Sequence, residues 1–204
     1  MRPHVYICLL LIFTSSVLFT ISSSKPPTGY LHSWNQISTL AHARLIAAFP
    51  ETWDSPIDVI TRITWHPADT RIALDKNNPS SSLEAFRVYE EFPLYHLLTA
   101  KLSTLIGSLE GAGRMLSILS MLSAAWGLYL LTLALSSQSI ACFSTLLFIS
   151  SFPILYYGQA IMSDMAMLQG AIWSMYFLLR FETEKKTLFI LFGALSLILC
   201  SLFK

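Results

Sequence analysis

The sequence predicts an all-α protein: a polytopic transmembrane helical bundle with a large extracytoplasmic first loop that contains juxtamembrane helices. Three observations carry this. Charged residues make up 12% of the chain and hydrophobic ones 54%, whereas a typical soluble domain is about a quarter charged. The shortage is local, because residues 115–163 form 49 consecutive positions without an Asp, Glu, Lys or Arg. One straight helix of that length would run roughly 75 Å against a hydrocarbon core of about 30 Å. The stretch must therefore turn, and "LSSQSI" at 135–140 is the place. Third, polar residues gather in one region: 23–112 holds 7 Lys/Arg, 9 Asp/Glu, four of the five histidines and three of the five tryptophans.

The elements follow in order. Residues 1–22 read as a signal-anchor transmembrane helix, since the apolar run 5–22 is eighteen residues long and long enough to stay in the bilayer; a cleaved signal peptide is the alternative. Residues 23–112 form the extracytoplasmic loop. Within it "SWNQISTLAHARLIAAF" opens with a capping box, Ser33-x-x-Gln36, and places Ile37, Leu40, Ala41, Leu45 and Ala48 at helical spacing. A turn-rich stretch punctuated by Pro50, Pro56, Pro67 and Pro79 follows. Next, "FPLYHLLTAKLSTLIGSL" at 92–109 sets its leucines along one side, with His96, Thr99 and Ser103 on another. That suits an amphipathic helix lying in the interface, Lys101 snorkelling, with a short span as the alternative. Residues 113–204 read as four transmembrane helices, at 115–135, 140–158, 165–181 and 187–203.

Charge orients the bundle. With 92–109 on the surface, "RFETEKK" at 180–186 lies inside, as the positive-inside rule prefers, and Asp164 falls on the outer face beside the polar region. Net charge is +1 with no basic run, so no nucleic-acid partner is expected. Cys8, Cys142 and Cys200 lie in apolar segments without CxxC spacing and read as buried small hydrophobes.

No HExxH, P-loop, GxSxG or GxGxxG motif occurs. The order "SWNQxSTLAHAR", "EEFPLYHLLTAKLSTLIG", "GRMLSILSML" and "YYGQAIMSDMAML" resembles the amino-terminal half of GT-C-type membrane glycosyltransferases. Within that class it is similar to the bacterial branch related to protein O-mannosyltransferases and aminoarabinose transferases. The blocks "EFPLYxxLxAxLxxLxG" and "GRxLSxLxxL" are its most specific elements, and the resemblance spans residues 30–181.

The resemblance implies transfer of a sugar from a polyprenyl-phosphate-linked donor to a glycan, lipid or protein acceptor outside the cytoplasm. It also implies a multi-pass protein of the bacterial inner membrane. Such enzymes generally have ten or more spans, so a chain with about five reads as a fragment, and an inactive one is an alternative. Glu91 and Asp164 match acidic positions of the family. They are the expected catalytic residues, Glu91 as the base that takes the acceptor proton and Asp164 ordering substrate or loop. Arg114 matches an outer-face arginine whose guanidinium would grip a lipid phosphate. Lys101, Asn35, Gln36 and Trp34 complete the expected substrate-binding set. Relatives commonly carry acids where this chain has Asn35-Gln36, and an amide orients a substrate but cannot act as the base.

Structural roles stand beside each of these: a helix cap for Gln36, an N-cap for Asp164, a snorkelling anchor for Arg114 and an interfacial anchor for Trp34. His32, His66 and His96 with Asp54, Asp58 and Asp69 are too irregularly spaced to assign a metal; a divalent cation is the one cofactor the acids would admit. The rival from another class is a non-enzymatic membrane protein, a transporter segment or assembly subunit. Clean spans with polar residues gathered outside favour the enzyme.

Overall fold

The computed structural model describes residues 33–48 and 94–203, together with Val17. The expected first span and most of the first loop lie outside the described residues. Every described element is helical: α1 (Ser33–Ala48), α2 (Leu94–Ile106), α3 (Leu109–Leu135), α4 (Gln138–Ser150), α5 (Phe152–Tyr157), α6 (Asp164–Glu184) and α7 (Thr187–Leu202). Among the described residues the protein is all-α.

Local chemistry sets the boundaries. Gly107, at φ 79°, ends α2 in the left-handed region and its N–H returns to the Ser103 carbonyl at 2.8 Å. Ser108 then caps α3, its hydroxyl accepting the Gly111 N–H at 3.1 Å. At the far end of α3, Ser136 returns both its N–H and its hydroxyl to the Thr132 carbonyl, each at 2.8 Å. Two serines thus suffice to turn the chain into α4, as expected. Lys185, at φ 55°, closes α6 before α7 begins.

One expected span is not continuous. Residues 140–158 form two helices, broken at Ser151, which is extended at ψ 137°. Pro153, near the start of α5, has no N–H for the Ile149 carbonyl, so the helix cannot run through. The region beyond residue 108 therefore contains five helices where four spans were expected.

Packing makes α3 the axis. Ala125 and Tyr129 of α3 meet Ala141 and Ile149 of α4, and Met121 meets α5 through Ile154 and Leu155. α6 runs alongside α3 in the same direction: Gly113 approaches Ile161, Gly127 approaches Ile172, and the Trp173 Nε1–H donates to Ser123 Oγ at 2.9 Å. α7 returns antiparallel on α6, Gly170 lying against Cys200 and Gly193 against Leu178. α1 and α2 pack on each other and on the amino-terminal part of α3. Phe203 joins Leu40, Tyr95, Ile161 and Ala166 at that same end.

Polarity is distributed inside out. Gln36, His42, Thr99, Arg114, Ser117, Ser120, Thr145 and Ser174 are buried, while leucine, isoleucine and phenylalanine side chains of α4 and α7 are exposed. α2 shows it within one helix: Tyr95 and Thr99 face inward and Leu105 is 84% exposed. On α1, Gln36, Leu40, His42, Ala43 and Ile46 are buried and Ile37 is exposed; of the expected inward residues Leu40 is buried and Ala41 half-buried, and the side chains of Leu45 and Ala48 lie outside the described residues. Cys142 and Cys200 are half-buried, where burial was expected. Among the described residues, one helix, Leu109–Leu135, is long and apolar enough to cross a membrane.

Candidate functional site

The end of the bundle where α1, α2 and α3 meet contains the densest polar network. Its centre is a non-helical segment, residues 158–163, between α5 and α6. Ala160 and Ile161 in it are buried, so its backbone groups need partners. Ser117 of α3 donates to the Ala160 carbonyl at 2.6 Å. The Ile161 N–H donates to Gln36 Oε1 at 3.3 Å, a bond across 125 residues of chain. The Tyr95 hydroxyl lies 2.8 Å from both the Gly113 carbonyl and Ser117 Oγ. Two hydroxyl protons thus serve three short contacts, tying α2, α3 and the segment together. Gly113 makes this approach possible, because a Cβ there would stand 2.5 Å from Ile161 Cγ2.

Burial raises the Tyr95 phenol well above its usual range, against the opposing hydrogen bond from Ser117; Asp164 raises it further and Arg114 opposes. Tyr95 is therefore a neutral donor. Asp164 and Arg114 both lie within electrostatic reach of it, but among the described residues no ion pair joins the two. Beside this network, Gln36, Arg114, Tyr156, Gln159 and Ala160 line a cleft of about 10 Å³, room for one water-sized group. Arg114 is 3% exposed, so its charge belongs to the interior.

The second polar contact pairs α1 with α2. The His42 and His96 rings meet edge to face, with centroids 5.1 Å apart. Burial lowers His96 to about 3, and His42 adds to the effect. The neutral imidazole is the form that fits.

Two of the expected site residues, Gln36 and Arg114, are brought together in the cleft. Gln36 gives its amide oxygen to the Ile161 N–H; the side chain of Ser33, its partner in the expected capping box, lies outside the described residues. Asp164 is the first residue of α6 and half-buried. Ser163 occupies the cap position, so Asp164 meets the positive end of the helix without being its N-cap. Lys101 is exposed on α2 and does not line the cleft. Trp34 and Asn35 sit in the first turn of α1, their side chains outside the described residues. Glu91 lies outside them too, as do His32, His66, Asp54, Asp58 and Asp69.

Tyr95, Ser117, Tyr156 and Gln159 were not expected at the site. "LYH", "MLS" and "YYGQ" contained the signal, polar residues interrupting apolar runs, but only tertiary packing shows that they converge. No protein-family model, curated protein or solved structure matches this chain.

Proposed function

We propose that this chain acts as a multi-pass membrane glycosyltransferase of the GT-C type, moving a sugar from a polyprenyl-phosphate-linked donor to an extracytoplasmic acceptor hydroxyl. The supporting observation is the buried Arg114 at a polar cleft, at the end of a bundle that is polar within and apolar without. A guanidinium carries five N–H donors, more than a single contact uses, and the phosphate of a lipid-linked sugar would accept from them at the mouth of the cleft. The acceptor oxygen bonds to the anomeric carbon as the bond to the phosphate oxygen breaks. Glu91 takes the acceptor proton, and Arg114 balances the charge gathering on the departing phosphate. Asp164, at the same end, orders the substrate or the loop above it.

The multi-pass reading draws on α3, on α6, at 21 residues about 31 Å long, and on α7, which exposes apolar side chains all round and buries only Gly193. The active face is the end carrying Asp164, and the Lys185–Lys186 end is cytoplasmic.

Proteoliposomes containing the chain test both parts. With the native cysteines replaced, a cysteine at Asp164 should react with an impermeant thiol reagent from outside and one at Glu184 should not. Undecaprenyl phosphate carrying a labelled hexose should bind, and Arg114→Gln should weaken binding at least about tenfold. Unchanged binding would remove the phosphate role. The break at Ser151 and the unwound segment 158–163 give the transporter reading its own support, since transporters place sites at broken helices. Labelled sugar gathering inside sealed vesicles with no new glycosidic bond would favour it.

A further inference from the structure

Helix α1 forms one side of the cleft. It lies mainly on α2 and more lightly on α3. Gln36 is the residue it contributes to the cleft wall, and the bond that Gln36 Oε1 accepts from the Ile161 N–H is a long one, at 3.3 Å. Leu40 adds apolar contact with Tyr95, Ile161, Ala166 and Phe203. Two turns from Gln36, His42 sets its ring edge to face against His96 of α2, and His42 is 7% exposed. The imidazole pair is thus part of what seats α1 on the bundle.

That seat tolerates only an uncharged His96. Its Nδ1 is buried without a hydrogen-bond partner among the described residues. A protonated ring carries an N–H on both nitrogens, so a charge would be buried with a donor unmet. Nothing described nearby offsets that cost. From α1 the titratable group facing His96 is His42, whose charge would repel it. On α2 the Tyr95 ring stands edge-on at 6.3 Å and neutral, and Lys101 is exposed. From α3, Glu110 is exposed and Arg114 lines the cleft; among the described residues His42 alone acts on His96 electrostatically. In water an imidazole protonates near pH 6.5 at either nitrogen. The proton therefore binds better with α1 away than with α1 seated, and by linkage acid favours the unseated state.

We infer that α1 is an acid-released clasp: protonation of His96 parts α1 from α2, withdraws Gln36 from the Ile161 N–H and opens the cleft at Arg114 to solvent. The device governs access to the cleft and does not rest on which ligand the cleft takes.

Spin-label distances in the full chain, solubilised in detergent with its native cysteines replaced, test this. Labels at the exposed positions Arg44 of α1 and Leu105 of α2 report the clasp, and labels at Leu119 of α3 and Met175 of α6 report the bundle. Between pH 7.5 and 4.5 the ratio of unseated to seated α1 should rise about tenfold, discounted for the partial exposure of the His96 ring, while the Leu119–Met175 distance stays fixed. His96→Phe fills the space without a nitrogen to protonate and should abolish the rise. If that variant does not fold, His96→Gln, uncharged throughout this range, takes its place with the same expectation. An Arg44–Leu105 distance that ignores pH in the parent overturns the inference. So does a rise that survives the loss of His96, which would put the trigger on another group. A Leu119–Met175 distance that changes in step overturns it too, because acid would then be unfolding the bundle and not releasing α1.

Discussion

The α1–α2–α3 end and the α6–α7 hairpin hold helices together by different means. At the first, a phenol, a serine and an amide meet backbone groups of a non-helical segment. At the second, almost no polar group crosses; Gly170 brings α6 to within van der Waals distance of Cys200 and the Ser196 carbonyl. On the membrane reading proposed above, apolar burial would give little drive toward helix association, and close packing and hydrogen bonding would have to supply it. The first region uses directional bonds, which define a site. The second uses fit alone, which defines a scaffold.

Breaking the scaffold should have the largest effect. A Cβ at Gly170 would meet the Ser196 carbonyl at 2.9 Å and Cys200 Cα at 3.0 Å, backbone that cannot step aside. Gly170→Val should therefore lower unfolding stability by about 3 kcal/mol in detergent titration. Gly193, whose nearest neighbours would be at 3.5 Å, is the internal control: Gly193→Ala should be neutral or stabilising by about 0.5 kcal/mol. Equal losses at both would mean that fit does not hold the hairpin.

At the polar end, Ser117→Ala removes the proton serving the Ala160 carbonyl and a partner of Tyr95. The expected loss is about 1.5 kcal/mol by the same titration, with faster amide exchange at Ile161. Loss of stability without the change in exchange would mean that Ser117 does not hold the segment.

The smallest effect sharpens the contrast through pH. His96 is lowered to about 3 in the folded chain from an ordinary 6.5, so below 6.5 the unfolded state binds the proton and the folded state does not. Stability is full above 6.5 and falls as pH drops toward 3. Between pH 7.5 and 5 the loss should be about 1 kcal/mol, discounted for partial exposure. It should vanish in His96→Leu and be unaffected by Gly193→Ala. A flat profile in the parent would mean that the imidazole pair is solvated.

Much of this architecture was legible in the sequence where causes are local. The serine turn at 136–137 and the start of α6 at Asp164 follow from short-range rules. Pro153 announced the break at Ser151, yet the surrounding apolar run concealed it, because hydropathy averages over a window wider than one ring. That Gln36 faces inward on α1 could not be read, since its partner is a backbone N–H lying 125 residues further on. Arg114 stood out as a charge at the edge of an apolar run. Gln159 did not, because only tertiary packing brings it beside Arg114.

The break between α4 and α5 has a consequence under the multi-pass reading proposed above. The 13 residues of α4 and the 6 of α5 would together reach about 30 Å, against about 40 Å for the 27 residues of α3, and Phe143, Leu146, Leu147 and Phe152 lie exposed along them. In a bilayer this flank would then carry roughly 10 Å less apolar length than α3, with no residue to spare across a hydrocarbon core of about 30 Å. Acyl chains there would shorten or splay, thinning the bilayer on that side, and membranes of different thickness would alter the protein's lateral distribution before they altered its fold.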